Sequence, residues 1–144
     1  MRAYVLTRYG GPDAMELRDV PAPLPGPGDV RIRVAAAGLN PVDFKLRQGA
    51  LRPISHFRLP IVAGCELAGT VEAVGPGPSR FEVGDRVYAR VDKRRLGAFA
   101  ELVCVQQELV AAMPASLGFA EAAGLQAIRV HALVHQVLHD RRGA

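Results

Sequence analysis

A mainly β domain with a few helices, ending in one long amphipathic helix, is the fold class that the sequence predicts. Three observations carry it. Short runs of alternating apolar and polar residues are separated by glycine and proline, of which the 144-residue chain has 15 and 11, the pattern of strands joined by turns. One run, Val30-Arg31-Ile32-Arg33-Val34, alternates throughout, so a strand there puts three β-branched residues on one face and two arginines on the other. Beyond Gly124 no glycine occurs before Gly143, and Val130, Leu133, Val134, Val137 and Leu138 recur at helical spacing.

Taken in order, Met1 to Arg8 reads as a first strand, and the proline- and glycine-rich stretch 21–28 as a connecting loop. After the alternating strand at 30–34, a short helix is expected from Asn40, a good N-cap with Pro41 at the first helical position, to about Arg47 before Gly49. Further strands are expected at Thr70 to Val74, Asp85 to Arg90, Phe99 to Val105 and Leu109 to Met113. Pro114 and Gly118 break what precedes the last element, and Ser116 offers a cap for a helix from about Phe119 to His139. Residues 1–118 are therefore expected to form the body, and 119–144 a helix and basic tail that either belongs to the same domain or serves oligomerisation. No internal repeat or low-complexity tract interrupts this order.

Composition narrows the function classes. The apolar share of 49% is that of a globular chain, and no apolar run approaches the roughly 20 residues of a membrane span. The apolar part of the first strand is too short for a secretory signal. A chain of this size buries roughly two thirds of its unfolded surface, enough for one domain. The net charge is +4, but the arginines are spread from Arg2 to Arg142, and the tight clusters Lys93-Arg94-Arg95 and Arg141-Arg142 read as solvated loop and tail. Nucleic acid is not the expected partner. Cys65 and Cys104 lie far apart in apolar segments, as reduced, buried thiols of a cytoplasmic protein do.

The chemistry-bearing blocks are Gly38-Leu39-Asn40-Pro41-Val42-Asp43, Gly64-Cys65-Glu66-Leu67-Ala68-Gly69-Thr70-Val71 and Val83-Gly84-Asp85-Arg86-Val87. Pro25-Gly26-Pro27-Gly28-Asp29-Val30 precedes them, and Gly97-Ala98-Phe99-Ala100-Glu101 and Ala120-Glu121-Ala122-Ala123 follow. Six blocks in this order resemble the medium-chain dehydrogenase/reductase superfamily, nearest its zinc-independent quinone oxidoreductase and enoyl reductase branch, over about Met1 to Leu125. The resemblance implies a partly open, GroES-like (chaperonin-10-like) β-barrel with helices at its rim. It also implies NADP(H) in the intact enzyme, with hydride transfer to a quinone or to the β-carbon of an activated alkene.

That family binds its cofactor with a second domain whose glycine-rich turn meets a pyrophosphate at a helix N-terminus. The two glycine pairs here fail this test. Gly26-Pro27-Gly28 and Gly75-Pro76-Gly77 each run on to an arginine, Arg31 or Arg80, where a third glycine is needed. The chain is therefore expected to hold the substrate side without a cofactor of its own, and a complete two-domain reductase does not fit its length.

The same resemblance supplies site residues. Zinc-dependent relatives carry a cysteine where Asn40 stands and a histidine where Cys65 stands, and no cysteine occurs from Tyr88 to Leu96 for a structural zinc lobe. An asparagine amide is a poor zinc ligand, so no metal is expected. What remains is Asn40, Asp43 and Lys45 as the catalytic set, with Cys65 and Glu66 at the substrate cleft. By the likeness, Asn40 donates a hydrogen bond to a carbonyl oxygen, Lys45 adds positive charge where an enolate develops, and Asp43 orients its neighbours. Each also has a plain structural reading: Asn40 as cap, Asp43 as a first-turn carboxylate, Lys45 as a solvated side chain, Glu66 as an arginine's partner. His131, His135 and His139 share a helical face, but no further ligand stands at fixed spacing from them, and metal binding there is not expected.

The functional expectation is thus the substrate-side domain of an NAD(P)H-dependent quinone oxidoreductase or enone reductase, with a quinone or enone-like ligand. A stand-alone module binding a small molecule or partner, and a non-redox enzyme such as a cyclase, are the alternatives. The apolar stripe of the final helix predicts a homo-oligomer through that helix; a separate nucleotide-binding chain is the alternative partner.

Overall fold

The computed structural model describes residues 1–54 and 57–125. Among these residues eight strands and a helix, α1, follow one another as β1 (Arg2–Leu6), β2 (Met15–Asp19), β3 (Asp29–Gly38), α1 (Pro41–Arg47), β4 (Ile61–Val62), β5 (Glu66–Val74), β6 (Arg86–Arg90), β7 (Leu102–Gln106) and β8 (Val110–Ala112). Residues 119–125 are helical as well. The strands form a three-stranded sheet in the order β2-β1-β4 and a five-stranded sheet in the order β7-β3-β5-β6-β8. Every neighbouring pair is antiparallel.

The alternation in β3 has the expected outcome. Val30 and Ile32 are fully buried among Leu67, Val71, Val87, Val103 and Val105, with Val34 packed against them, and each such side chain contributes roughly 1.5–3 kcal/mol. Arg31 and Arg33 turn to the other face, where both pair with Glu72 of β5. Irregularities at Arg31/Ile32 and Val34/Ala36 interrupt the β3–β5 register and bend the strand.

The fold is mainly β with two helices, as expected, but the sheets do not close into a barrel. β7 pairs with β3 only from Asp29 to Arg33. The stretch before it, expected as strand from Phe99, turns aside to meet the other sheet. There Tyr4 donates to the Phe99 carbonyl at 2.8 Å, Val34 donates to the Glu101 carbonyl at 3.0 Å, and Ala3 forms an isolated bridge with Ala100. These bonds make a narrow seam between the sheets. Past Val34 the edge of β3 stands away from β1 and leaves a groove.

Other element ends differ for local reasons. β5 starts at Glu66, four residues before the expected Thr70, because Gly38 and Ala37 of β3 continue the ladder opposite it. Leu109 belongs to a 3-10 turn, Gln107–Leu109, that precedes β8. β2 and β4 were not anticipated. The helix expected as far as His139, its apolar stripe, the histidines at 131, 135 and 139, and the oligomerisation built on that stripe lie outside the described residues beyond 125. Within the described part, Ala122 and Ala123 are buried against Ala68, Tyr88 and Met113.

Candidate active site

The site grows out of the start of α1. Asn40 is in extended conformation at the N-cap, and Pro41 fixes the first helical φ. The Asn40 backbone N–H donates to Asp43 Oδ2 at 2.8 Å, and the Asp43 N–H donates to the Asn40 carbonyl at 2.9 Å. Asn40's side-chain amide reaches another element: Nδ2 donates to Glu66 Oε2 at 2.8 Å.

Glu66 stands at the start of β5, opposite Gly38 of β3 and Arg90 of β6. Only 2% of it is exposed, and a buried carboxylate is costly unless it is paired and hydrogen-bonded. Asn40 supplies the hydrogen bond, and Arg90 Nη1 stands 3.7 Å from Oε1. The sequence placed Glu66 at a cleft. The fold puts it behind Asn40, where it orients that amide.

Cys65 and Asp43 form a second pair. Burial pushes the Cys65 thiol up to about 12, reinforced by the Asp43 carboxylate, which accepts its hydrogen bond. Burial also raises the Asp43 carboxyl above its ordinary value, against the opposing pull of the Asn40 N–H, the Cys65 thiol and Arg90. A thiol held so strongly protonated is no nucleophile at neutral pH. Cys65 packs with Leu6, Ala14, Leu46 and Leu96, as a small core residue does.

Asn40 and Asp43 line a cleft of about 500 Å³ with Tyr4, Met15, Leu39, Phe44, Arg47 and Phe99. It runs into the groove beside β3, about 700 Å³, through the shared walls Tyr4, Met15, Leu39 and Phe99. Leu39 is 83% exposed, and Tyr4 and Phe44 are also open to solvent. A contiguous apolar surface of this kind marks a binding site more often than an ordinary surface. Gly64 keeps one wall in place: its φ is +96°, and a Cβ there would lie 2.5 Å from Phe99 Cδ1.

Of the five residues singled out from sequence, Asn40 and Asp43 reach the cleft, while Cys65 and Glu66 support them from behind. Lys45 is exposed and does not line the cleft. Sequence reasoning missed Arg47, Tyr4, Phe99 and Arg90. Arg47 was detectable, since it follows Asp43 by four residues on the same helical face. Arg90 was not, because only strand register brings it to Glu66.

Neither glycine pair forms a phosphate cradle. The two turns pack on each other, with a Cβ at Gly75 falling 1.9 Å from the Gly26 carbonyl oxygen. Strand β3 follows the first, and no helix follows the second before β6. Neither turn therefore fits a dinucleotide pyrophosphate. Among the described residues, no group of three or more His, Cys, Asp or Glu side chains could hold a metal ion, and no helix is long and apolar enough to cross a membrane.

Comparison with known proteins follows the same lines. The alcohol dehydrogenase GroES-like domain matches residues 26–115. The chain is 40% identical over 137 residues to a quinone oxidoreductase of Pseudomonas aeruginosa, covering 94% of this chain and 41% of that protein. It is 39% identical over 132 residues to the chloroplastic NADPH-dependent alkenal/one oxidoreductase of Arabidopsis thaliana, 87% and 34%. To the mouse synaptic vesicle membrane protein VAT-1 homolog-like it is 36% identical over 145 residues, 99% and 34%. The Escherichia coli quinone oxidoreductase solved with NADPH superposes with a TM-score of 0.78 at 27% identity, over 85% of this chain and 36% of that one. The chain thus spans between a third and about two fifths of these relatives.

Proposed function

The chain belongs to the alcohol dehydrogenase GroES-like domain family, and from that premise we propose that it forms the substrate side of an NADPH-dependent quinone or enone reductase. The observation that carries this reading is the Asn40 amide, turned by a buried carboxylate and set in the wall of an apolar cleft. An amide nitrogen has two hydrogens. One is spent on Glu66, and the other is available to a carbonyl oxygen in the cleft. The apolar walls hold the rest of a quinone or enone and exclude water, which strengthens that hydrogen bond.

The similarity to a quinone oxidoreductase and to an alkenal/one oxidoreductase supports this substrate class. Since neither glycine turn fits a pyrophosphate, no step is assigned to a nicotinamide bound by the described residues. Their part is to bind, orient and desolvate a carbonyl compound.

The test is a titration of ¹⁵N-labelled chain with 2-cyclohexenone, followed by NMR. Shifts centred on the Asn40 side-chain amide and the backbone of Leu39, Phe44 and Phe99 are expected. Shifts scattered elsewhere, or none, overturn the reading.

A further inference from the structure

Three buried side-chain polar atoms lack a hydrogen bond among the described residues: Arg31 Nε, Glu72 Oε2 and Arg47 Nε. The first two lie 3.0 Å apart and pair as ions. Arg47 Nε has neither kind of partner among the described residues. An arginine keeps its charge and offers five N–H donors, so leaving the inner one desolvated and unmatched costs stability.

Arg47 lines the cleft together with Asn40 and Asp43. On α1 it follows Asp43 by four residues and the cap by seven, which puts all three on one stripe. Asp43 is the obvious counter-ion, yet its carboxylate accepts from the Asn40 N–H and the Cys65 thiol, and the two form no ion pair. Around Arg47 the cleft is apolar, with Tyr4, Met15, Leu39, Phe44 and Phe99. A cation so placed matches a ligand oxygen.

We propose that Arg47 is the charge-recognising residue of the cleft, which takes a largely apolar ligand whose oxyanion docks on the Arg47 guanidinium. The oxyanion is a carboxylate or the enolate-type oxygen of a carbonyl compound. The guanidinium fork suits planar oxygen pairs, and the apolar surroundings strengthen the attraction. The enolate form rests on the quinone and enone reading above; the carboxylate form does not. Lys45, exposed and off the cleft, has no part in it.

The experiment compares 2-hydroxy-1,4-naphthoquinone, ionised at neutral pH, with its neutral 2-methoxy counterpart, and adds 1-naphthoate as an anion that is no quinone. Affinities come from NMR titration of the full chain, its Arg47→Gln and Lys45→Gln variants, and from the Arg47 Nε–H resonance of the unmodified chain. The ionised quinone is expected to bind about tenfold or more tightly than the methoxy compound, as a hydrogen bond to a charged group allows. Arg47→Gln is expected to remove the preference, Lys45→Gln to keep it, and the Nε–H signal to move with the anions alone. Equal binding of the two quinones, a preference that survives Arg47→Gln, or an unmoved Nε–H signal overturns the proposal. Naphthoate binding that depends on Arg47, with neither quinone bound, upholds Arg47 as an anion receptor and overturns the quinone reading instead.

Discussion

The Asn40 side-chain amide donates a 2.8 Å hydrogen bond to Glu66, a carboxylate only 2% exposed, and so ties the start of a helix to the start of a strand 26 residues away. Because a carboxylate only accepts, the bond fixes which end of the amide points inward. The same contact sets the stability of the site.

Removing the cation is expected to harm the fold more than removing the anion. Arg90→Met leaves the Glu66 carboxylate buried without its counter-charge, and a loss of roughly 2–3 kcal/mol is expected, below the full cost of a broken buried pair because Arg90 is partly exposed. Glu66→Gln keeps an acceptor for Asn40 and is expected to cost about 1 kcal/mol. Urea denaturation of both variants is the measurement, and equal losses would argue against a stabilising pairing of Arg90 with Glu66.

Asp43 gives a pH dependence with a definite sign. Its carboxyl is raised above the ordinary value of 3.8, chiefly by burial, so its favourable contribution is present below that value and is lost as pH rises through the higher folded value. Asp43→Asn retains an acceptor for the Asn40 N–H and removes the desolvated charge. Its stability relative to the parent is therefore expected to improve from pH 3 to pH 7 in thermal melts, and a constant difference contradicts the argument.

Cys65 extends the same reasoning to alkali. Its thiol is raised from 9.0 to about 12, so the contribution is complete below 9.0 and lost as pH climbs toward about 12. Cys65→Ala is expected to remove this part of the alkaline decline. In the native chain at pH 8, alkylation by iodoacetamide is expected to leave Cys65 unmodified until denaturant is added, as mass spectrometry of the peptides would register.

Much of this site was legible in local sequence. Asn40-Pro41 names a helix start because capping is decided by the residue itself and its next few neighbours, and the alternation of Val30, Ile32 and Val34 names a buried face for the same reason. β4 escaped notice because two residues, Ile61 and Val62, hold no period. Glu66 was read as a cleft residue because its depth depends on β3 and β6 closing over it, and Arg90 became its partner only through the register of β5 with β6. Lys45 was chosen for its charge, although on a helix it faces away from the stripe that Asn40, Asp43 and Arg47 share.

Gly64→Ala tests the wall beneath the cleft. The new Cβ would meet Phe99 at 2.5 Å in a backbone conformation of φ +96°, and a loss of roughly 2 kcal/mol or more is expected. Because Phe99 also accepts from the Tyr4 N–H, the damage is expected to spread to Tyr4 and Ala63 in hydrogen exchange. Protection lost only at Gly97 and Ala98, whose N–H groups bond the Gly64 carbonyl, would show the rest of the wall to be independent of residue 64.

Micromolar binding of NADPH by these 144 residues is not expected, since the Gly26 and Gly75 turns are packed against each other. Calorimetry checks it directly. Elemental analysis of the same material is expected to give less than stoichiometric zinc, because the side chain of Asn40 is engaged by Glu66 and the thiol of Cys65 by Asp43.

The seam between the two sheets gives the cleft two inheritances. Tyr4 and Met15 come from the three-stranded sheet, whereas Asn40, Asp43 and Arg47 come from the helix that follows β3. Ala3 and Ala98 sit at the seam with 1% and 0% of their surface exposed, so added bulk there is expected to press on β1 rather than on the polar groups of α1. If the cleft takes the ligand proposed above, the girth and the charge of that ligand are set by different elements, and substitutions at the seam change the first while leaving the polar stripe of α1 intact.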